Sequence, residues 1–327
     1  MTTIPPVQGA TPLNPAAYSQ KTPSPASASS AKPVLVVEGD VVPAAVSAEG
    51  EPEGNAILLF GESGSGKTYA LTTLIEAGLD LFVLGTEPRF LESLRQAVID
   101  RGLDMNKLHT AHVYPATSTW DALITSAKVV AQSSYADLTS IKSWTGKAAY
   151  GEPWINILRT MNDFIDERTG KHYGPVHLFD PETQAFAIDS TTGLAYMSMD
   201  LSVGGKPVKH EGEWGVAMDN LERFNNTCTA RIKCFFVMTG HVEKEPDPMG
   251  NASQAYVSTL GKKLSPKWGR FYSEVVLSYR EKDQFYWSTA TPMFSLKRRS
   301  LPLADKIKPS FVPIVEAWRA RKRGEKK

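Results

Sequence analysis

Gly61-Glu62-Ser63-Gly64-Ser65-Gly66-Lys67-Thr68 is the stretch whose reading decides the fold. It follows the apolar run Ala56-Ile57-Leu58-Leu59-Phe60, which has the length of a buried strand. It leads into Tyr69-Ala70-Leu71-Thr72-Thr73-Leu74-Ile75, whose apolar residues recur at helical spacing. A strand, a glycine-rich loop ending in Lys-Thr and a helix are the parts of a phosphate-binding P-loop. The glycines let backbone N–H groups turn inward around a triphosphate, where a Cβ would obstruct the path. Lys67 is placed for the β- and γ-phosphates and the Thr68 hydroxyl for Mg²⁺, and the helix N-terminus adds partial positive charge. The cofactors expected are therefore ATP and Mg²⁺, held by Gly61, Glu62, Ser63, Gly64, Ser65, Gly66, Lys67, Thr68 and the adjoining Tyr69.

The composition around this motif is that of a globular chain. The 327 residues are 42% hydrophobic and 22% charged, with a formal net charge of +1, so no broad basic field marks a dedicated nucleic-acid binder. No apolar run approaches the roughly 18 residues that span a bilayer, and no basic-then-apolar leader opens the chain, which predicts a cytoplasmic protein without membrane contact. Cys228 and Cys234 are too far apart for a CxxC pair and have no second pair for a zinc site, so both are read as small core residues.

Residues 1–32 are rich in Pro, Ala, Ser and Thr, a composition that cannot offset its ordering entropy by burial, and predict a disordered tail. Residues 33–37 read as an edge strand and 49–54 as a polar linker, so the tail unit spans 1–50. The expected core runs from 51 to 312, and a C-terminal helix at 313–321 with a basic tail closes the chain at 327. Within the core, strands are predicted at 81–84, 108–113, 185–190 and 234–239. Helices are predicted at 89–101, opened by Pro88, and at 213–225, with loops at 201–211 and 243–250. Residues 114–180 read as a helical insertion on the sheet's rim, with helices at 120–132 and 154–166. Residues 275–279 and 284–288 read as a hairpin turning at Lys282-Asp283. Strand–helix alternation of this kind implies an α/β fold with a mostly parallel sheet flanked by helices.

Hydrolysis of a nucleotide needs a metal-holding carboxylate and a water activator beside the phosphate cradle. Asp189, closing the buried run Phe186-Ala187-Ile188, fits the metal role with Thr68. Its other reading is a helix N-cap. Ser190 follows it where many P-loop ATPases carry a Glu, so the base must come from another strand. Glu87 qualifies, since it ends a parallel strand on the rim where ligands gather, although a Glu there also suits the first turn of a helix.

Gly85-Thr86-Glu87 with Arg89-Phe90, and Ile188-Asp189-Ser190, resemble the catalytic core of RecA-type recombinases. More closely, the chain resembles phage-encoded AAA-type ATPases with a shortened RecA-like core, related to the single-strand annealing proteins of the Sak type. The likeness extends over residues 54–315 and includes Trp214-Gly215-Val216-Ala217-Met218, Thr239-Gly240-His241 and Leu260-Gly261-Lys262-Lys263-Leu264. It implies a RecA-like P-loop ATPase, with the sensor strand between the P-loop and Asp189 strands. It makes Thr239 and His241 sensors of the γ-phosphate, although His241 reads equally as a structural histidine, and it gives Ser190 the task of holding the Asp189 loop. The same resemblance gives Arg298, with Lys297 and Arg299, a role at a neighbouring subunit's nucleotide in a homo-oligomer, against the plainer reading of a solvated basic run. It also implies single-stranded DNA as partner, and phage or host replication or recombination proteins. The DNA loops would be 203–213, with Lys206, Lys209 and His210, and 243–255. Glu243, Glu245 and Asp247 argue against the second. Lys262, Lys263, Lys267 and Arg270, interleaved with Trp268 and Phe271, are the alternative, although Trp214 and Trp268 also suit the core. A protein of a different class, an ATP-dependent assembly or regulatory factor that binds a protein and not DNA, is equally compatible with the P-loop.

Overall fold

Period-2 burial sorts the strand residues onto two faces of one sheet, and both faces are covered. Leu58 and Phe60 enter one core while Ile57 and Leu59 enter the other, and Phe82 and Leu84 are likewise split from Leu81 and Val83. The computed structural model describes residues 56–141, 147–245, 254–291 and 294–324. The expected tail at 1–50 with its edge strand, the linker at 49–54, most of the loop after Glu245 and the last three residues lie outside this range.

In chain order the elements are β1 (Ala56–Gly61), α1 (Lys67–Leu71), α2 (Thr73–Glu76), β2 (Asp80–Gly85), α3 (Phe90–Asp100) and β3 (Leu108–His112). Next come α4 (Trp120–Gln132), α5 (Tyr135–Ser140), α6 (Lys147–Asn162), β4 (Gln184–Asp189), α7 (Thr191–Val203), α8 (Glu211–Arg231) and β5 (Phe235–Gly240). The chain continues through β6 (Val242–Glu245), β7 (Gln254–Val257), α9 (Gly261–Leu264), β8 (Glu274–Glu281), β9 (Gln284–Ser288) and α10 (Val312–Lys322).

The sheet order is β3-β2-β4-β5-β1-β8-β9, parallel except for the final antiparallel pair β8–β9. The expected α/β architecture is present, and β5 stands between β1 and β4, as the RecA-like order implies. On one face lie α1, α2, α3 and α10, whose Leu71, Leu74, Leu94 and Trp318 pack on the sheet. On the other, α7 lies inside with α6 and α8 packed against it. The predicted hairpin turns where expected, with Lys282 at a φ of 55°.

Several expectations are corrected. The loop predicted at 201–211 shrinks to a short connection, because α7 runs to Val203 and α8 begins at Glu211. Residues 242–245 are not loop but strand β6, paired antiparallel with β7. Pro88 does not open α3; Arg89, at a φ of 65°, is its N-cap. The rim insertion divides in two. Trp154 and Ile157 of α6 are buried in the core, whereas α4 and α5 contain no buried residue. Cys228 and Cys234 are free and buried as expected, and burial pushes the Cys234 thiol up to about 12.

Candidate active site

Register brings the site together before any side chain is considered. Gly85 lies level with Asp189 on the neighbouring strand, Phe60 is level with Gly240, and Gly61 is level with Ser278. The C-terminal ends of β1, β2, β4 and β5 therefore form one rim, and the residues that follow each strand meet there, as ligand sites in open parallel sheets do.

On that rim the P-loop curls with Gly64 at a φ of 73° and Gly66 at 85°, conformations that a side chain would strain. Gly66 is doubly constrained, since a Cβ there would stand 2.9 Å from the Phe285 ring. The loop is braced from β8, where the Ser278 hydroxyl donates to the Ser65 carbonyl at 2.8 Å. Lys67 is buried, and its ammonium donates to the carbonyls of Gly61 at 3.0 Å and Glu62 at 2.9 Å. Burial lowers its pKa, and the carboxylates of Asp189 and Glu87 partly counter that.

Asp189 is buried at the same point. The Thr68 hydroxyl donates to its Oδ2 at 2.6 Å, and the Thr239 hydroxyl donates to Oδ1. Burial raises its pKa, and these two hydrogen bonds and Lys67 only partly offset the effect. Thr86 fixes the adjoining backbone. Its hydroxyl donates to the Ser190 carbonyl at 2.7 Å and accepts from the Ser190 N–H at 2.8 Å, while its own N–H donates to the Asp189 carbonyl. The Asp189–Ser190 peptide is cis.

Glu87 accepts from the Ser190 hydroxyl and from His241 Nε2 at 3.0 Å. Burial works to raise its pKa, but the bonds from His241 and Ser190, with the charges of His241 and Lys67, hold it below the usual Glu value. A carboxylate kept ionised beside a phosphate cradle is what a water-activating base requires. Lys67, Thr68, Asp189, Glu87, Thr239 and His241 thus form one contiguous group, with Ser190 bridging its two acidic halves. His241 is hydrogen-bonded, as its structural reading had it, but to Glu87. Asp189 also precedes the N-cap of α7, a place filled by Ser190, whose hydroxyl accepts from the Thr192 N–H.

The residues present suit a magnesium nucleotide. Among the described residues no group of three or more His, Cys, Asp or Glu forms a metal cage. Magnesium bound together with phosphates needs only one or two protein oxygens, and Thr68 and Asp189 supply adjacent ones.

Other predicted residues are not brought to the rim. Lys297 is bridged to Val275, three residues short of the level of Gly61, and its ammonium donates to the Arg270 carbonyl at 3.0 Å. Arg298 and Arg299 are exposed there. In the first expected DNA loop, Lys206 is buried and ion-paired with Glu213, which removes it from any phosphate backbone. Trp268 is wholly buried and cannot stack on a base; Arg270 is paired with Glu222. Lys209, His210, Lys263 and Lys267 remain exposed.

Sequence reasoning missed Thr86, although it stands between two residues it singled out, and it missed the braces Ser278 and Phe285. It also missed Lys244, whose ammonium reaches the Glu62 carboxylate at 2.7 Å on the outer lip of the loop. A cavity of about 560 Å³ opens beside that lip, walled by Ser65, Lys244, Leu277, Arg280 and Phe294 among others.

No protein-family model and no curated protein matches the sequence. Among solved structures, a crystal structure of the RadB recombinase is similar at 12% identity, over 76% of this chain and 83% of that one, with a TM-score of 0.36. A likeness so distant says nothing about the site.

Proposed function

We propose that the chain is an ATPase of RecA-like architecture in which Lys67 and the P-loop amides hold the triphosphate. In this reading Thr68 and Asp189 hold Mg²⁺, and Glu87 directs water at the γ-phosphoryl. The observation that supports it most is the convergence of Glu87 and Asp189 on the Lys67 cradle from three different parallel strands, through direct hydrogen bonds to Thr68, Thr239, Ser190 and His241. The metal, when bound, neutralises phosphate charge. The chain's own residues do the remainder. Lys67 exchanges its two carbonyl partners for phosphate oxygens, Glu87 takes the proton of the attacking water, and His241 orients Glu87 and relays the state of the site into β6.

The polymer acted on is read as single-stranded DNA, in phage recombination, repair or replication, and the active form as a homo-oligomer. This part rests on the RecA and Sak resemblance and on exposed Lys209, His210, Lys263 and Lys267. A second reading, an ATP-dependent factor that binds a protein, is favoured by a different observation. Two of the expected DNA contacts, Lys206 and Trp268, are buried, whereas α4 exposes an apolar stripe.

ATP turnover measured with and without single-stranded DNA tests both. Lys67→Ala should abolish tight binding of a labelled ATP analogue. Glu87→Gln should leave binding intact and lower turnover by roughly 10²-fold or more. Unchanged turnover in Glu87→Gln removes the base assignment. ATPase activity indifferent to DNA, together with no ATP-dependent retention of single strands on a filter at low salt, selects the protein-binding reading.

A further inference from the structure

The P-loop carries a carboxylate where a polyanion is to be held. Glu62 is its second residue, and the Glu62 carbonyl is one of the two that accept from the Lys67 ammonium, at 2.9 Å. A negative side chain on the lip of an anion cradle opposes the ligand unless a cation answers it. Here the cation is Lys244 of β6. Its ammonium donates to Glu62 Oε1 at 2.7 Å and holds the Glu62 carboxyl below the usual Glu value.

Three features set this pair apart from an ordinary surface ion pair, which contributes little to stability. It joins residues 182 apart in the chain, and both belong to the site: one lies on the loop that wraps phosphate, the other on the strand that follows His241, whose ring touches Glu87. It is open to solvent, with the Lys244 side chain 55% exposed and that of Glu62 69%, so the partners can part without disturbing the core. It also stands at the edge of the cavity of about 560 Å³ beside Ser65, whose buried hydroxyl has no partner, so room to move adjoins it. The other cation on that cavity wall, Arg280, is tied to the hairpin turn by Asp283 at 3.1 Å and the Lys282 carbonyl at 2.9 Å.

We propose that Lys244 is a γ-phosphate contact supplied within the chain, parked on Glu62 while the cradle is empty. The inference rests on the reading of the cradle as a nucleotide site. Charge drives the exchange. A nucleoside triphosphate brings several negative charges to Lys67 where Glu62 offers one, and the flexible four-carbon stem of a lysine lets its ammonium swing from the lip to the terminal phosphate. A diphosphate lacks that terminal group and leaves Lys244 with Glu62. Lys244 therefore separates triphosphate from diphosphate, which Lys67, reaching β- as well as γ-oxygens, does less sharply.

Equilibrium titration of the full chain with a fluorescent nonhydrolysable ATP analogue and with fluorescent ADP, both with Mg²⁺, tests this. Lys244→Ala should weaken the triphosphate analogue about tenfold or more, and ADP by less than about twofold. Glu62→Gln releases Lys244 and should favour the triphosphate over ADP by a further factor of about two to five. That gain should vanish when Glu62→Gln is combined with Lys244→Ala, because the two residues act through one contact. The inference falls, with the cradle reading intact, if Lys244→Ala weakens both nucleotides alike, weakens neither, or leaves the Glu62→Gln gain in place. A wild-type chain that binds neither nucleotide overturns the cradle reading itself, and this inference with it.

Discussion

At Asp189 the proposed metal role is set against stability. Burial raises its pKa, so the folded chain keeps a proton there to higher pH than the unfolded chain does. The stabilising contribution of that proton is fully present below the ordinary value of 3.8, and is lost as pH climbs through the raised one. Asn keeps an oxygen to accept from one threonine hydroxyl and an amide to pair with the other, without the buried charge. Asp189→Asn should therefore stabilise the nucleotide-free protein at neutral pH, a gain that disappears at acid pH. It should also abolish the extra stabilisation that Mg²⁺ adds to nucleotide. Denaturant melts at two pH values, with and without Mg²⁺ and a nonhydrolysable analogue, check both. Asp189 was legible because an acid closing an apolar strand has no packing explanation. Glu87 was legible through its place after a second parallel strand. Thr86 was not, because its work lies in two hydrogen bonds to a backbone 104 residues away, and no local pattern encodes such a partner.

At the scale of elements, what the sequence concealed was helix α7. Its buried residues lie nearly all round it, because the sheet lies on one side and α6 and α8 on the other, and buried Thr191 and Ser198 among them blur any apolar period. The strands were legible for the converse reason: short apolar runs bounded by glycine and charge read the same whichever face they cover. Helix α4 was legible to the residue, since its 3.6-residue periodicity is intact, although its pattern says nothing about where the apolar side is buried. Gly193 shows what α7 contributes to the site. Glycine in a helix ordinarily costs about 1 kcal/mol relative to alanine. A Cβ at Gly193, however, would stand 2.4 Å from the Thr86 carbonyl, where the backbone cannot yield cheaply. Gly193→Ala should therefore destabilise, by roughly 1–3 kcal/mol. Because Thr86 holds the Asp189–Ser190 backbone, turnover should fall as well. A thermal melt paired with a rate measurement at a temperature well below the transition separates the two effects.

For the whole molecule the open question is whether one chain holds a complete site. In the proposed reading the rim supplies a lysine, a metal pair, a base and a histidine from β1, β2, β4 and β5 and the residues beyond them. Arg298, by contrast, stands beside the bridge between Val275 and Lys297, back from the level of the P-loop. If Arg298 acts on phosphate, it acts in the neighbouring subunit, through a head-to-tail contact. Arg298→Ala should then lower turnover steeply while nucleotide affinity is kept, since supplied arginines elsewhere are worth about 10³ to 10⁵ in rate. Lys67→Ala fails for the opposite reason: it cannot hold nucleotide but offers an intact Arg298 to its neighbour. Mixed in equal amounts, the two inactive proteins should regain activity at about a quarter of the junctions, those where an intact Lys67 faces an intact Arg298. The mixture's ATPase rate, read beside a fluorescence measure of co-assembly, decides the matter. Co-assembly without recovery assigns the basic run at 297–299 to solvent or to nucleic acid, and leaves the residues of the rim as the chain's entire catalytic equipment.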